Sequence, residues 1–247
     1  MNTLNHDVRT VLTLIFILVL IWISYIFLKT RIFYQNSQSL FTISAQFEHD
    51  YYVGNKKLPL TTYLAIGDST AVGTGVYQKE QSYPYLIAQH LASQGHFIHV
   101  INTAKSGARL KDLVTSQLSI LKTVKPNVIS ITIGANDATH FTSLSSYENS
   151  LTVLKDSLPQ KAQILFATTP YMRLSPALPY PYDIAVGLRC QQENEILLKV
   201  FSTSHSKIIN LYDEGRLDRS ELYATDMFHP GSSGYARWAD LFIHHLN

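Results

Sequence analysis

Five short apolar runs, spread from about residue 60 to the C-terminal region, confine this chain to a layered α/β architecture. They are Tyr63-Leu64-Ala65-Ile66, Phe97-Ile98-His99-Val100-Ile101, Asn127-Val128-Ile129-Ser130-Ile131-Thr132-Ile133, Gln163-Ile164-Leu165-Phe166-Ala167 and Lys207-Ile208-Ile209-Asn210-Leu211. Each is short and apolar, most are rich in β-branched residues, and turn signals bound them, so they read as buried strands. Amphipathic stretches follow at residues 85–93, 110–122, 147–157, 183–201 and 233–245, with Pro126 closing off the second of them. Strands that alternate with helices are joined by crossovers, which gives a mostly parallel sheet covered on both faces. Roughly 190 residues from Leu58 onward suffice for one well-buried core. Neither an internal repeat nor a low-complexity tract interrupts the pattern.

A second apolar feature lies outside that alternation. Residues 10–28 contain no charge and are dominated by Leu, Ile, Val, Phe and Trp. As a helix this run spans about 28 Å, close to the hydrocarbon thickness of a bilayer. Trp22 and Tyr25 fall toward its C-terminal end, where amphipathic rings suit an interface. The run is long for a signal-peptide core, and the bulky, basic Phe27-Leu28-Lys29-Thr30-Arg31 that follows offers no small-residue cleavage site. We read residues 1–29 as an uncleaved membrane anchor. Arg9 flanks one end and Lys29 and Arg31 the other, so the count of basic residues leans slightly toward a cytoplasmic main domain. Residues 30–58, polar and aromatic by turns, read as a stalk resting on the domain or on the membrane surface; their composition is not that of a flexible linker.

The remaining composition narrows the function classes. A net charge of +2 is too small to imply a nucleic-acid partner. The single cysteine, Cys190, rules out an intramolecular disulfide and a thiolate metal cluster, and reads as a core residue of a helix. His140, His205, His244 and His245 lack partners at metal-ligand spacing, so no metal site and no cofactor is expected.

Chemistry concentrates in four blocks: Gly67-Asp68-Ser69-Thr70, Ser106-Gly107-Ala108, Gly134-Ala135-Asn136-Asp137 and Asp226-Met227-Phe228-His229-Pro230. The first three follow the first three expected strands, and ligands of doubly wound sheets bind where loops leave the carboxyl ends of strands. Ser69 is a candidate nucleophile, Gly107 a backbone N–H that no side chain screens, and Asn136 an amide donor suited to a developing oxyanion. A serine hydroxyl needs a base, and a base works best when a carboxylate fixes its tautomer, which Asp226 and His229 supply three residues apart. Taken singly, each block is equally an ordinary polar loop. Together they hold the parts for acyl transfer through a serine ester. Asp68 and Asp137, beside the site, read as loop-orienting carboxylates rather than as acid or base.

These blocks resemble those of the SGNH/GDSL hydrolase superfamily, in the compact form of the bacterial thioesterase/lysophospholipase-like esterases. The resemblance covers roughly Thr62 to the C-terminus and places the hydrolase domain at residues 59–247. It implies a flavodoxin-like three-layer α/β/α sandwich around a mostly parallel five-stranded sheet, preceded by the transmembrane helix. It implies a catalytic triad of Ser69, Asp226 and His229, and an oxyanion hole of the Ser69 N–H, the Gly107 N–H and the Asn136 side chain. Two departures touch no catalytic group: Thr70 stands where the family often has Leu, and Ala104 where a Gly is common. The resemblance, rather than the charge count, favours an extracytoplasmic catalytic domain.

The expected activity is hydrolysis of carboxylic esters or thioesters, with lipid, lysophospholipid or small acyl esters as substrates. The rival enzymatic readings are an envelope polysaccharide or peptidoglycan O-acetylesterase and an acyltransferase; a third is a membrane-tethered binding module without turnover. With His229 neutral as base, activity should rise with pH through about 6–7. Residues 170–182, rich in Pro and aromatics, suit either a substrate lid or a plain ordered connection.

Overall fold

A computed structural model describes residues 2–216 and 220–246. In chain order its elements are α1 (Asn2–Ser44), β1 (Asp50–Val53), β2 (Leu60–Gly67), α2 (Ser69–Val72), α3 (Tyr83–Ser93), β3 (Phe97–Asn102), α4 (Leu110–Asp112) and β4 (Val128–Thr132). There follow α5 (Ala135–Thr139), α6 (Leu144–Ser157), β5 (Gln163–Ala167), α7 (Tyr182–Phe201), β6 (Lys207–Ile209), α8 (Leu211–Glu214) and α9 (Ser232–His244). The sheet runs in the order β1-β3-β2-β4-β5-β6, parallel throughout except for β1, which pairs antiparallel with β3.

Alternation along β2 divides the core into two layers, because successive side chains of a strand point to opposite faces. Tyr63 and Ala65 pack on one face with Tyr83 and Ile87 of α3 and Tyr235 and Phe242 of α9. Leu64 and Ile66 pack on the other with Leu151 and Leu154 of α6 and Leu197 of α7. All five residues of β4 are buried, as a central parallel strand requires. The result is the expected three-layer α/β/α sandwich.

The sheet has a sixth strand beyond the five read from the sequence. β1 lies at the edge, inside the segment read as a stalk, with Tyr51 and Val53 turned inward. Four residues carry too little alternation to stand out from their surroundings. A second difference concerns residues 110–122, expected as one helix. Only Leu110–Asp112 is α-helical; a wide π-type stretch, Leu113–Gln117, and a tight 3₁₀ stretch, Leu118–Lys122, complete it. The buried Gln117 stands where the two stretches meet, and its amide clamps the end of β2, donating to the Gly67 carbonyl (2.8 Å) and accepting from the Gly67 N–H (2.9 Å). Irregular turns of this type recur at functional sites.

The topology fixes where a ligand can sit. β2 has β3 on one side and β4 on the other, so the chain leaves its carboxyl end toward one neighbour and returns by the opposite one. Open α/β sheets bind ligands at such a switch point. Ser69, the first residue of α2, stands there.

Helix α1 runs for 43 residues without a break, a length of about 64 Å. Its first half is bare: Val11, Leu14, Ile15, Leu18 and Trp22 are all exposed. It is long and apolar enough to cross a membrane. Its second half is different. Phe33, Asn36, Ser37, Leu40, Phe41 and Ser44, spaced three or four apart, are wholly or partly buried against the domain, the stripe expected of a helix that packs on one face.

Candidate active site

Ser69 is set by the strand that precedes it. Gly67 ends β2 at φ 146°, and a Cβ there would lie 2.0 Å from the Thr132 carbonyl oxygen, so only glycine lets β2 and β4 approach this closely. Asp68 caps α2, accepting from the Thr70 N–H (2.9 Å) and the Thr70 hydroxyl (2.7 Å). Thr70, where the resembled family often has Leu, thus gives the buried carboxylate a second donor. Burial raises the Asp68 pKa to about 6 against the pull of those two bonds and of His229, with Asp137 adding to the rise. The cap leaves the Ser69 N–H uncommitted, as the first N–H groups of a helix are.

The base comes from the loop between α8 and α9. Asp226 folds its side chain back over the chain: Oδ1 accepts from the N–H groups of Phe228 (3.0 Å) and His229 (3.0 Å). Oδ2 accepts from His229 Nδ1 at 2.6 Å. Met227, inside this turn, has φ 58°, a conformation that a bulky residue holds only where its surroundings impose it. Here the carboxylate bonds on either side do so. His229 Nε2 then lies 2.9 Å from Ser69 Oγ. A carboxylate only accepts, so Nδ1 carries the ring proton and Nε2 is left as acceptor for the serine hydroxyl. Ser69, Asp226 and His229 are all buried.

Burial alone would raise the Asp226 pKa. The hydrogen bond and charge of His229 and the backbone N–H groups prevail, and hold the carboxyl below its ordinary value. Gly75 supplies the closeness between the two halves of the site. Its φ is 117°, and a Cβ would meet the Pro230 carbonyl oxygen at 2.1 Å, so the loop after the nucleophile runs directly against the loop that carries the base.

Asn136, in the first turn of α5, donates one amide hydrogen to the Ala108 carbonyl (3.0 Å), which fixes the side chain and leaves its second N–H available. Ser69, Asn136 and His229 share the wall of one cleft of about 790 Å³, counted with its open mouth. Gly107 (φ 78°) lies in the neighbouring loop, where a side chain would meet open space, but it does not border that cleft. Its loop is tied to the nucleophile through Lys105 N–H to Gly67 O (3.1 Å). Asp137 accepts from Leu110 N–H (2.8 Å) and so joins the third block to the start of α4.

Residues 170–182 form one wall of the cleft through Pro170, Tyr171, Met172 and Ser175. Ser175 Oγ donates to the Met227 carbonyl (2.8 Å), and Lys29 Nζ on α1 donates to the Leu178 carbonyl (3.1 Å). Cys190 is fully buried on α7, and burial pushes its thiol up to about 12, which leaves it unreactive. Among the described residues no group of three or more His, Cys, Asp or Glu side chains is placed to hold a metal ion.

Sequence reasoning missed the groups that hold the site from outside the four blocks. Gln117 clamps β2 from a helix that the periodicity made look regular. Ser37 on α1 donates to Asp226 Oδ2 at 3.0 Å. Phe33, Ser37, Leu40 and Ser44 repeat at four, three and four residues, a helical spacing that was the available signal for a packed face.

Comparison with known proteins identifies the family and the fold. The GDSL-like Lipase/Acylhydrolase family matches residues 65–237. The GDSL-like esterase Rv1075c of Mycobacterium tuberculosis is 28% identical over 197 residues, 76% of this chain; the match spans 62% of that protein's length. Among solved structures, the lipase Lip_vut3 from a goat rumen metagenome superposes with a TM-score of 0.61 at 18% identity, covering 75% of this chain and 97% of its own. A variant of Axe2, an acetyl xylan esterase from Geobacillus stearothermophilus, gives 0.57 at 20% identity, covering 79% and 96%. At these identities the two structures speak for the fold.

Proposed function

We propose that this chain, which belongs to the GDSL-like lipase/acylhydrolase family, is a membrane-anchored serine esterase that cleaves carboxylic esters or thioesters through an acyl-enzyme on Ser69. The observation that carries this reading is the buried relay from Ser69 Oγ to His229 Nε2 (2.9 Å) and from His229 Nδ1 to Asp226 Oδ2 (2.6 Å). His229 takes the hydroxyl proton as Ser69 attacks the carbonyl carbon, and Asp226 stabilises the imidazolium that forms. The Ser69 N–H and the free amide hydrogen of Asn136 bind the oxyanion, and the Gly107 N–H, from the loop beside the cleft, is the third donor that the family resemblance implies. His229 then protonates the leaving oxygen or sulfur, and the same base activates a water that returns Ser69 to its free form.

The cleft supports an apolar acyl group. Tyr171, Met172, Phe228 and Trp238 line it beside Ser69, and Phe228 and His229 of its wall pack on the helix whose other half has the character of an anchor. Measured along α1, Ser37 is about 14 Å beyond Leu28, so the site stands close to the membrane surface. Both features favour lipid or lysophospholipid esters; the extracytoplasmic side is what the family resemblance implies. A second reading, removal of acetyl groups from an envelope glycan, or acyl transfer to one, draws on Arg237 and its ion-pair partner Glu214 on the same wall, which suit sugar hydroxyls.

The test uses the full chain in detergent beside Ser69→Ala, with p-nitrophenyl esters from acetate to palmitate and a fluorophosphonate label. Turnover and labelling in the native protein alone are expected, with longer acyl chains preferred. Best activity on acetate would select the deacetylase reading. Equal turnover by the two proteins would overturn the assignment of Ser69, and the absence of labelling and turnover in both would select the tethered binding module.

A further inference from the structure

The second half of α1 meets the catalytic loop through two hydrogen bonds and two ring contacts. Asn36 Nδ2 donates to the Thr225 carbonyl (3.0 Å), and Ser37 Oγ donates to Asp226 Oδ2 (3.0 Å). The Phe33 ring meets Phe228 edge-on at 5.3 Å, and the Phe41 ring meets the His229 imidazole edge-on at 5.4 Å. Further along, Ser44 Oγ bonds Thr74 Oγ1 (2.9 Å), and the Thr74 N–H donates to the Ser69 carbonyl (2.9 Å). One face of one helix therefore touches the neighbours of the nucleophile, the ring of the base and the carboxylate.

Ser37 has the most specific of these positions. It is buried between Phe33 and Leu40 on the packed face, where an apolar residue would be the ordinary choice. Its hydroxyl is directed at the same oxygen that receives His229 Nδ1. With it, Asp226 accepts four hydrogen bonds, two at each oxygen. The carboxylate plane is then fixed from outside its own loop, and with it the tautomer and tilt of the imidazole.

We propose that Ser37 is a positioning residue of the esterase, acting through Asp226, so that the membrane-proximal helix forms part of the catalytic apparatus. The proposal rests on the reading of Ser69, His229 and Asp226 as the triad. The four-bonded carboxylate shares its charge between Ser37 and His229. Loss of the Ser37 hydroxyl leaves more of that charge for the imidazolium, which then holds its proton more tightly. A purely structural serine would affect stability without moving that titration.

The experiment uses the full chain in detergent micelles, measuring kcat, KM and the pH dependence of kcat/KM for Ser37→Ala, Ser37→Thr and Ser37→Val, with Ser69→Ala alongside. The Thr and Val variants have the same size and differ in the hydroxyl, which keeps the comparison valid if the alanine variant is poorly folded. We expect Ser37→Ala and Ser37→Val to lose about tenfold in kcat with KM little changed. Their acid limb should move upward by about half a pH unit, and Ser37→Thr should restore both. Identical kcat and acid limbs in the Thr and Val variants would overturn the proposal while leaving the triad intact. Turnover surviving in Ser69→Ala would instead bring down the triad reading on which it stands.

Discussion

Two buried carboxylates, Asp226 on the loop that carries the base and Glu193 on α7, have opposite surroundings. Asp226, on the base side, receives four hydrogen bonds and has its pKa held below 3.8 despite burial. Glu193, on α7 behind the Asn136 loop, is also fully buried, yet neither of its oxygens finds a hydrogen-bond partner among the described residues. Its counter-charge, Arg189 Nε, stands 3.8 Å away. Burial first, then the neighbouring Asp137, push Glu193 up to about 9 against that Arg189 charge, so it is a neutral acid at physiological pH. Depth does not decide whether a buried acid ionises; the number of donors directed at it does. The loop that carries the base thus holds its charge with donors, while Glu193, without them, stays neutral.

That contrast can be tested from both ends. The largest effect belongs to the charged side: Asp226→Asn keeps the shape but reverses the tautomer preference of His229, and kcat should fall about 10⁴-fold in a folded protein. A loss below about tenfold, measured as turnover of a reactive ester, would show that Asp226 does not orient the base. Next comes the oxyanion side, where Asn136→Ala removes one donor and should lower kcat by about 10²–10³-fold with KM changed far less. A change confined to KM would assign Asn136 to substrate binding instead.

The smallest effect is on stability. Glu193 titrates near 4.5 when unfolded and about 9 when folded. Its ionisation therefore opposes the folded state increasingly as pH rises from about 4.5 to 9 and by a constant amount above that. Asp226 has the opposite sign: its contribution is present above its unfolded value of 3.8 and is lost as pH falls through the lower folded value. In Glu193→Gln the neutral amide stands for the neutral acid, so thermal unfolding should match the native protein near pH 5. By pH 9 the variant should melt about 3 °C or more higher. Parallel melting curves across that range would mean that Glu193 is already ionised in the fold.

How much was legible in the sequence follows the same division. Ser69 and Asn136 sit immediately after parallel strands whose apolar runs are short and uniform, so their place at the sheet's carboxyl edge followed from local pattern. Asp226 and His229 were readable because the bond between them spans only three residues. What the pattern could not carry was support arriving from far along the chain. Gln117 reaches Gly67 across 50 residues, and Ser37 reaches Asp226 across 189. Periodicity reports which face of an element is buried but not what that face meets. The edge strand β1 was missed for a different reason: its pairing with β3 consists of backbone bonds, which leave little trace in a four-residue stretch. Glu193 lies in a polar run with Gln191, Gln192, Asn194 and Glu195, and nothing in that composition marks it and Asn194 as the two that face inward on α7.

With its apolar segment in a bilayer, the unbroken course of α1 would restrict where this enzyme can work. An esterase hung from a flexible tether sweeps a hemisphere whose radius is the length of the tether. Here a rigid rod emerges from the apolar segment and ends on the catalytic loop, so with that segment in a bilayer the cleft patrols a thin slab parallel to the surface. Esters within that slab would be encountered repeatedly by lateral diffusion, and those a few nanometres higher would be out of reach whatever their chemistry. The selection of substrate by altitude would then precede any selection by the pocket.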